Sequence, residues 1–180
     1  MSPPYVKVAR DVACGLQYLH EEKKLLHGDL KSGNILIQGD FKAAKLCDFG
    51  VSLKLDEKGA LREPDAQCYI GTECWSAPEA LVGGVVTHKA DMFSFGLILW
   101  NIIVISCDFL GSRPSLPDTP LTEDYLPVLE IFYACTEAEP AKRPSAGQIV
   151  HILDSMTDDK ENTKGVGGNS KFLEMLHEDL

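Results

Sequence analysis

His27-Gly28-Asp29-Leu30-Lys31-Ser32-Gly33-Asn34 decides how the chain is read, together with its companion Asp48-Phe49-Gly50. An acid, an ammonium and an amide carbonyl fall between Asp29 and Asn34. Two apolar runs follow, Ile35-Leu36-Ile37 and Ala44-Lys45-Leu46-Cys47, and then a second acid ahead of a glycine. Carboxylate and amide oxygens are hard donors suited to Mg²⁺. A lysine neutralises a phosphoryl group in transfer, and a further carboxylate orients a hydroxyl nucleophile. Either triplet alone reads as a polar turn before a β-hairpin; the pair in this order points to handling of a phosphate-bound metal. Gly39-Asp40 between the runs predicts the hairpin turn, which carries Asn34 at one end and Asp48 at the other, their oxygens at one edge. His27 follows Leu25-Leu26 and reads as a packed, structural histidine.

The 180 residues are 44% hydrophobic, enough for one globular domain with a real core. A formal net charge of -10 argues against a nucleic-acid surface and slightly favours basic peptide partners. Six cysteines are scattered without a C-x-x-C pair, and the first residues are not signal-like. Both features predict reduced thiols in a cytoplasmic or nuclear protein. The longest apolar stretch, 95–105, is too short for a membrane span and contains Asn101, so a buried helix is expected there.

Along the chain, Pro3-Pro4 opens a helix predicted over 4–21, with Tyr5, Val8, Ala9, Val12, Ala13, Leu16 and Leu19 at helical spacing. Residues 51–76 are mostly polar and read as a long mobile segment ending in Gly71-Thr72-Glu73-Cys74-Trp75-Ser76-Ala77-Pro78-Glu79. Thr87 is placed to cap a helix over 88–105, the most hydrophobic of the chain, with Asp91 in its first turn. A loop is expected over 107–122, a helix over 123–135 with Leu126, Leu129, Phe132 and Tyr133 on its apolar face, and a last helix over 145–156. Residues 157–180 form the expected flexible tail. Gly165-Val166-Gly167-Gly168 follows no strand and reads as linker, and Phe172, Leu173 and Leu176 as a short partner-binding helix. The terminal Glu178-Asp179-Leu180 suits a PDZ-domain groove by strand addition.

Five ordered motifs between 27 and 145, the last being Glu139-Pro140-Ala141-Lys142-Arg143-Pro144-Ser145, resemble the C-terminal lobe of a serine/threonine protein kinase. Leu25-Leu26-His27-Gly28-Asp29, Cys68-Tyr69-Ile70-Gly71-Thr72-Glu73 and Leu110-Gly111-Ser112-Arg113-Pro114 are similar to the mitogen-activated protein kinase kinase-like group associated with mitosis. The resemblance implies a mainly α fold with a small β-hairpin, a kinase-like C-lobe over 1–156 lacking the N-lobe, and the tail over 157–180. It implies ATP and Mg²⁺ as cofactors and a protein substrate with a serine or threonine acceptor. By the same resemblance Asp29 is the catalytic base, Lys31 the phosphoryl-stabilising cation, and Thr72 their partner. Asn34 and Asp48 hold the metal, and Leu36 faces the adenine. His27 and Phe49 are structural supports, Asp91 holds the catalytic-loop backbone, Arg143 pairs with Glu79, and Ile98 and Ile102 lie under the nucleotide.

Three positions depart from that pattern. Gly28 stands where most kinases carry arginine, which removes the cation that reads a phosphorylated activation loop. The stretch after Trp100 is short, and Asn101 stands where many basic-directed kinases have an acid. No glycine-rich loop, strand lysine or partner glutamate precedes Asp29 in these residues, so weak or no activity is expected of this chain alone. The alternative is a non-catalytic binding module that competes with a full-length kinase.

Overall fold

The computed structural model describes residues 3–62, 65–104, 112–115 and 123–162. Helix α1 spans Pro4–Gln17, with Pro4 in the first turn, where a missing N–H costs nothing. Its buried stripe includes Val8, Ala9, Val12, Ala13 and Leu16. The helix then widens into a π-type turn, Tyr18–Glu22, closed by the Lys23 amide on the Tyr18 carbonyl. Lys24, at φ 52°, ends it within the charged run.

Four short strands follow. β1 (Leu25–Leu26) pairs antiparallel with β4 (Leu53–Lys54), and β2 (Ile35–Gln38) pairs antiparallel with β3 (Ala43–Leu46) in the register Ile35 to Leu46. The hairpin turn takes four residues, Gly39 to Lys42, because Gly39, Asp40 and Phe41 all adopt positive φ before the Lys42 amide closes on Gln38. The Asp11 carboxylate of α1 accepts the Ala44 amide at 2.9 Å, fastening the hairpin to the helix.

The polar stretch after the second acid is largely structured against the body, contrary to the expectation of a long mobile segment. Leu55 bridges Leu61, Ala60 bridges Thr87, and the Leu61 amide donates to Val86. Backbone polarity that cannot enter a helix is satisfied here by short ladders. Helix α2 is the single turn Pro78–Leu81.

Helix α3 spans Lys89–Val104 and is buried on every side from Ala90 to Trp100. A helix without a polar face belongs in the middle of a domain. It packs on α4 (Leu126–Cys135) and more lightly on α1, while α1 packs on α5 (Ala146–Asn162). Trp100 stacks on Phe132 with ring centroids 4.8 Å apart.

One helix face and one helix boundary differ from expectation. The buried face of α4 is Val128, Ile131, Phe132 and Cys135, and Leu126 lies on the exposed side, so the apolar stripe was read rotated. Helix α5 runs to Asn162, past the expected boundary at 156, because a polar segment without proline or glycine can prolong a docked helix. The tail motifs from 163 onward, including the PDZ-type terminus, lie outside the described residues.

Candidate active site

The register of the hairpin builds the site. The Cys47 amide donates to the Asn34 carbonyl at 3.0 Å, continuing the β2–β3 ladder by one rung, so Asn34 and Asp48 emerge at the same end. Asp48 adopts φ 63°, a left-handed conformation that aspartate tolerates better than most residues. It is exposed, and its carboxylate accepts no hydrogen bond from any described residue.

Asp29 sits at the centre of a polar ring. Its Oδ1 accepts the Thr72 hydroxyl at 2.5 Å and the Thr72 amide at 3.0 Å. Its Oδ2 accepts Lys31 Nζ at 2.7 Å and, more loosely, Asn34 Nδ2 at 3.3 Å. Lys31 Nζ also donates to Thr72 Oγ1 at 2.8 Å, closing the ring. Partial burial raises the pKa of this carboxyl, but Lys31 and the two Thr72 donors outweigh it and hold it below its ordinary 3.8. Asp29 is therefore ionised, hence able to accept a proton, throughout the neutral range.

Asn34 Nδ2 donates to the Asp29 carbonyl at 2.8 Å, which fixes the amide and turns Oδ1 away from Asp29. Asn34 Oδ1 and the Asp48 carboxylate are thus two hard oxygens without protein partners among the described residues. No cluster of three or more His, Cys, Asp or Glu side chains suited to a metal exists among those residues. Two oxygens alone fit Mg²⁺, which keeps several waters and shares substrate phosphates instead of sitting in an all-protein cage.

The backbone of the loop that carries Asp29 hangs from α3. Asp91 Oδ2 accepts the His27 amide at 2.8 Å and Oδ1 the Gly28 amide at 3.1 Å. Burial pushes the Asp91 pKa up, yet His20 and these two amides overcome it and keep the carboxyl below its ordinary value. His27 is fully buried; Nε2 donates to the Cys47 carbonyl at 3.1 Å, leaving Nδ1 to accept the Asp29 amide. That single tautomer satisfies both partners. Phe49 lies half-exposed with its ring 5.3 Å from that of His27, joining the two motifs.

Gly28 adopts φ 80°, and an added Cβ would approach the Val51 carbonyl at 3.1 Å. An added Cβ at Gly71 would meet the Gly28 carbonyl at 2.8 Å, so the segment bearing Thr72 lies against the loop backbone itself. Behind it, Glu79 and the fully buried Arg143 form a bidentate pair at 2.7 and 2.8 Å. Leu36, two residues after Asn34 on strand β2, is exposed; Ile98 is buried and Ile102 partly so.

Sequence reading missed two contributors. His20 Nε2 lies 2.8 Å from Asp91 Oδ2; its spacing of four from Leu16 placed it on the buried face of the first helix, a signal that was available. Arg113 donates to Thr136, Tyr133 and Glu137, tying a loop to the end of α4, and nothing local announces it.

An ionised acid is thus ringed by lysine and threonine, near two oxygens that no described residue engages. The chain belongs to the protein kinase family, whose domain description matches residues 4–153. It is 45% identical to the human lymphokine-activated killer T-cell-originated protein kinase, over 83% of this chain and 55% of that protein. It is 34% identical to the probable serine/threonine-protein kinase drkC of Dictyostelium discoideum, over 86% of this chain and 22% of that protein. The serine/threonine-protein kinase STY17 of Arabidopsis thaliana is 29% identical over 96% of this chain and 31% of that protein. The chain thus spans about half the length of the human relative, and less of the others.

Proposed function

We propose that these residues form the phosphoryl-transfer half of a serine/threonine kinase site, in which Asp29 receives the proton of a substrate serine or threonine hydroxyl. The observation that carries it is the closed ring of Asp29, Lys31 and Thr72. All the lone-pair positions of the Asp29 carboxylate are occupied in this state, and the Asn34 Nδ2 contact at 3.3 Å is the longest of them. An incoming hydroxyl displaces that contact at least cost, because Asn34 stays anchored on the Asp29 carbonyl. Lys31 then neutralises charge on the transferred group, and Thr72 holds the carboxylate in plane. Asn34 and Asp48 would hold Mg²⁺, which supplies charge neutralisation to the ATP phosphates, and Leu36 offers an apolar surface to the adenine.

These 180 residues alone would transfer slowly or not at all, since phosphoryl transfer depends on positioning and no glycine-rich loop lies among the described residues to cover the phosphates. A second reading, a non-catalytic module that binds partners or competes with a longer kinase, draws support from Leu36, Ile37, Phe41 and Phe49, all exposed around the hairpin. Placement in the mitogen-activated protein kinase kinase-like, mitosis-associated group draws on the 45% identity with the human kinase. A PDZ partner for the terminus and a cytoplasmic or nuclear setting belong to the same proposal; the five free thiols among the described residues suit a reducing compartment.

The test is transfer of labelled phosphate from MgATP to degenerate peptides carrying serine, threonine or tyrosine. Serine and threonine peptides should be labelled slowly, and Asp29→Asn should abolish the labelling. An unchanged rate in that variant would remove Asp29 from the mechanism.

A further inference from the structure

Histidine 88 opens α3 with both of its faces in use. Its Nδ1 meets the Gly59 carbonyl at 3.3 Å, and its amide donates to the same carbonyl at 2.8 Å. Gly59, at φ 77°, sits so close that an added Cβ would lie 2.4 Å from Nδ1. The other side of the His88 ring packs on His20, with centroids 5.5 Å apart. His20 is the residue whose Nε2 holds Asp91, and its Nδ1 is buried with no hydrogen-bond partner among the described residues. Contacts therefore run unbroken from the turn at 56–61, through His88, His20 and Asp91, to the amides of His27 and Gly28.

We propose that His88 is a positioning residue that couples the 56–61 turn of the activation segment to the catalytic loop, and that proton uptake at His88 releases both. A positive charge on the His88 ring, in a buried site packed against His20, is poorly solvated. The charged groups facing His88 are few. His20 faces it from the π-type turn that follows α1; Lys89 and Asp91 come after it in the first turn of α3. From the turn, among the described residues, it meets the Gly59 carbonyl, while the Asp56 carboxylate is committed to the amides of Lys58 and Ala60.

Geometry and titration agree in sign. Burial, and next the neighbouring His20, lower the His88 pKa below its ordinary 6.5. The folded state thus binds this proton less readily than an open one. The closed arrangement is fully favoured above 6.5 and weakens as pH falls through the lower folded value.

The coupling bears on catalysis only through the reading of Asp29 given above, and amide exchange tests it without any turnover. Protection factors, corrected for intrinsic exchange, are followed from pH 7.5 to 5 at Leu61 and Gly59 in the turn and at His27 and Gly28 in the loop. In the wild-type chain both groups should lose protection together as pH falls, by up to about tenfold per pH unit, the limit for one proton. His88→Asn keeps a donor near the Nδ1 position and cannot titrate, so both groups should stay protected across the range. His88→Phe keeps the ring without the donor and should lower protection at the turn at every pH. Loop amides that ignore pH while the turn opens would overturn the coupling. The same pH dependence in His88→Asn would overturn the assignment to His88.

Discussion

Arg143 is the most deeply buried charge in the described chain, and its chemistry is fully answered. Glu79 takes both ends of the guanidinium, while the carbonyls of Glu137, Lys89 and Ala138 accept the remaining N–H groups. Removing one partner of a buried ion pair leaves the other uncompensated, at about 3–5 kcal/mol. Glu79→Ala should therefore lose that much stability in urea unfolding. Glu79→Gln, which keeps hydrogen-bond acceptance, should lose less; equal losses would mean that packing, not charge, decides. Asp91→Ala strands three donors at once and should cost a similar amount, with loss of amide protection at His27 and Gly28. The residues of this site were legible because their types and order are restrictive: Asp29, Lys31, Asn34 and Asp48 fall in two short motifs. The burial of His20 was readable from its spacing of four from Leu16, but its partner Asp91 lies 71 positions away and no local pattern names it.

At the scale of elements, periodicity served where one face is buried and failed where burial is uneven. The first helix shows its stripe plainly. The apolar content of α4 is spread around it, so burial of Val128 and Ile131 in preference to Leu126 is set by where α3 lies. The α3–α4 contact is close: a Cβ at Gly96 would lie 2.7 Å from Thr136 Cγ2 and 3.0 Å from Cys135 Cβ. Gly96→Ala should destabilise by about 1–3 kcal/mol despite its better helix propensity, because overpacking outweighs the propensity gain of about 1 kcal/mol. A lowered urea midpoint with an unchanged slope is the expected result. The hairpin was predicted from Gly39-Asp40, but its positive-φ run through Phe41 was not, since phenylalanine rarely adopts that conformation.

For the whole molecule, acid should act in two stages. His88, held below 6.5, gives up its contribution first as pH falls, and Asp29 and Asp91, both held below 3.8, give up theirs later. Thermal unfolding midpoints across pH should show the earlier decline in the wild type and not in His88→Asn, while the later one persists in both. The wider assignment rests on the hairpin end, from which Asn34 and Asp48 emerge together. The measurement that reaches it most directly is calorimetric titration of the purified chain with MgATP, beside Asp48→Ala. Saturable binding that the variant loses, with both proteins folded, is the expected result. A well-folded chain that binds no MgATP, or a variant that binds as tightly as the wild type, would contradict the phosphoryl-transfer site and leave the binding module.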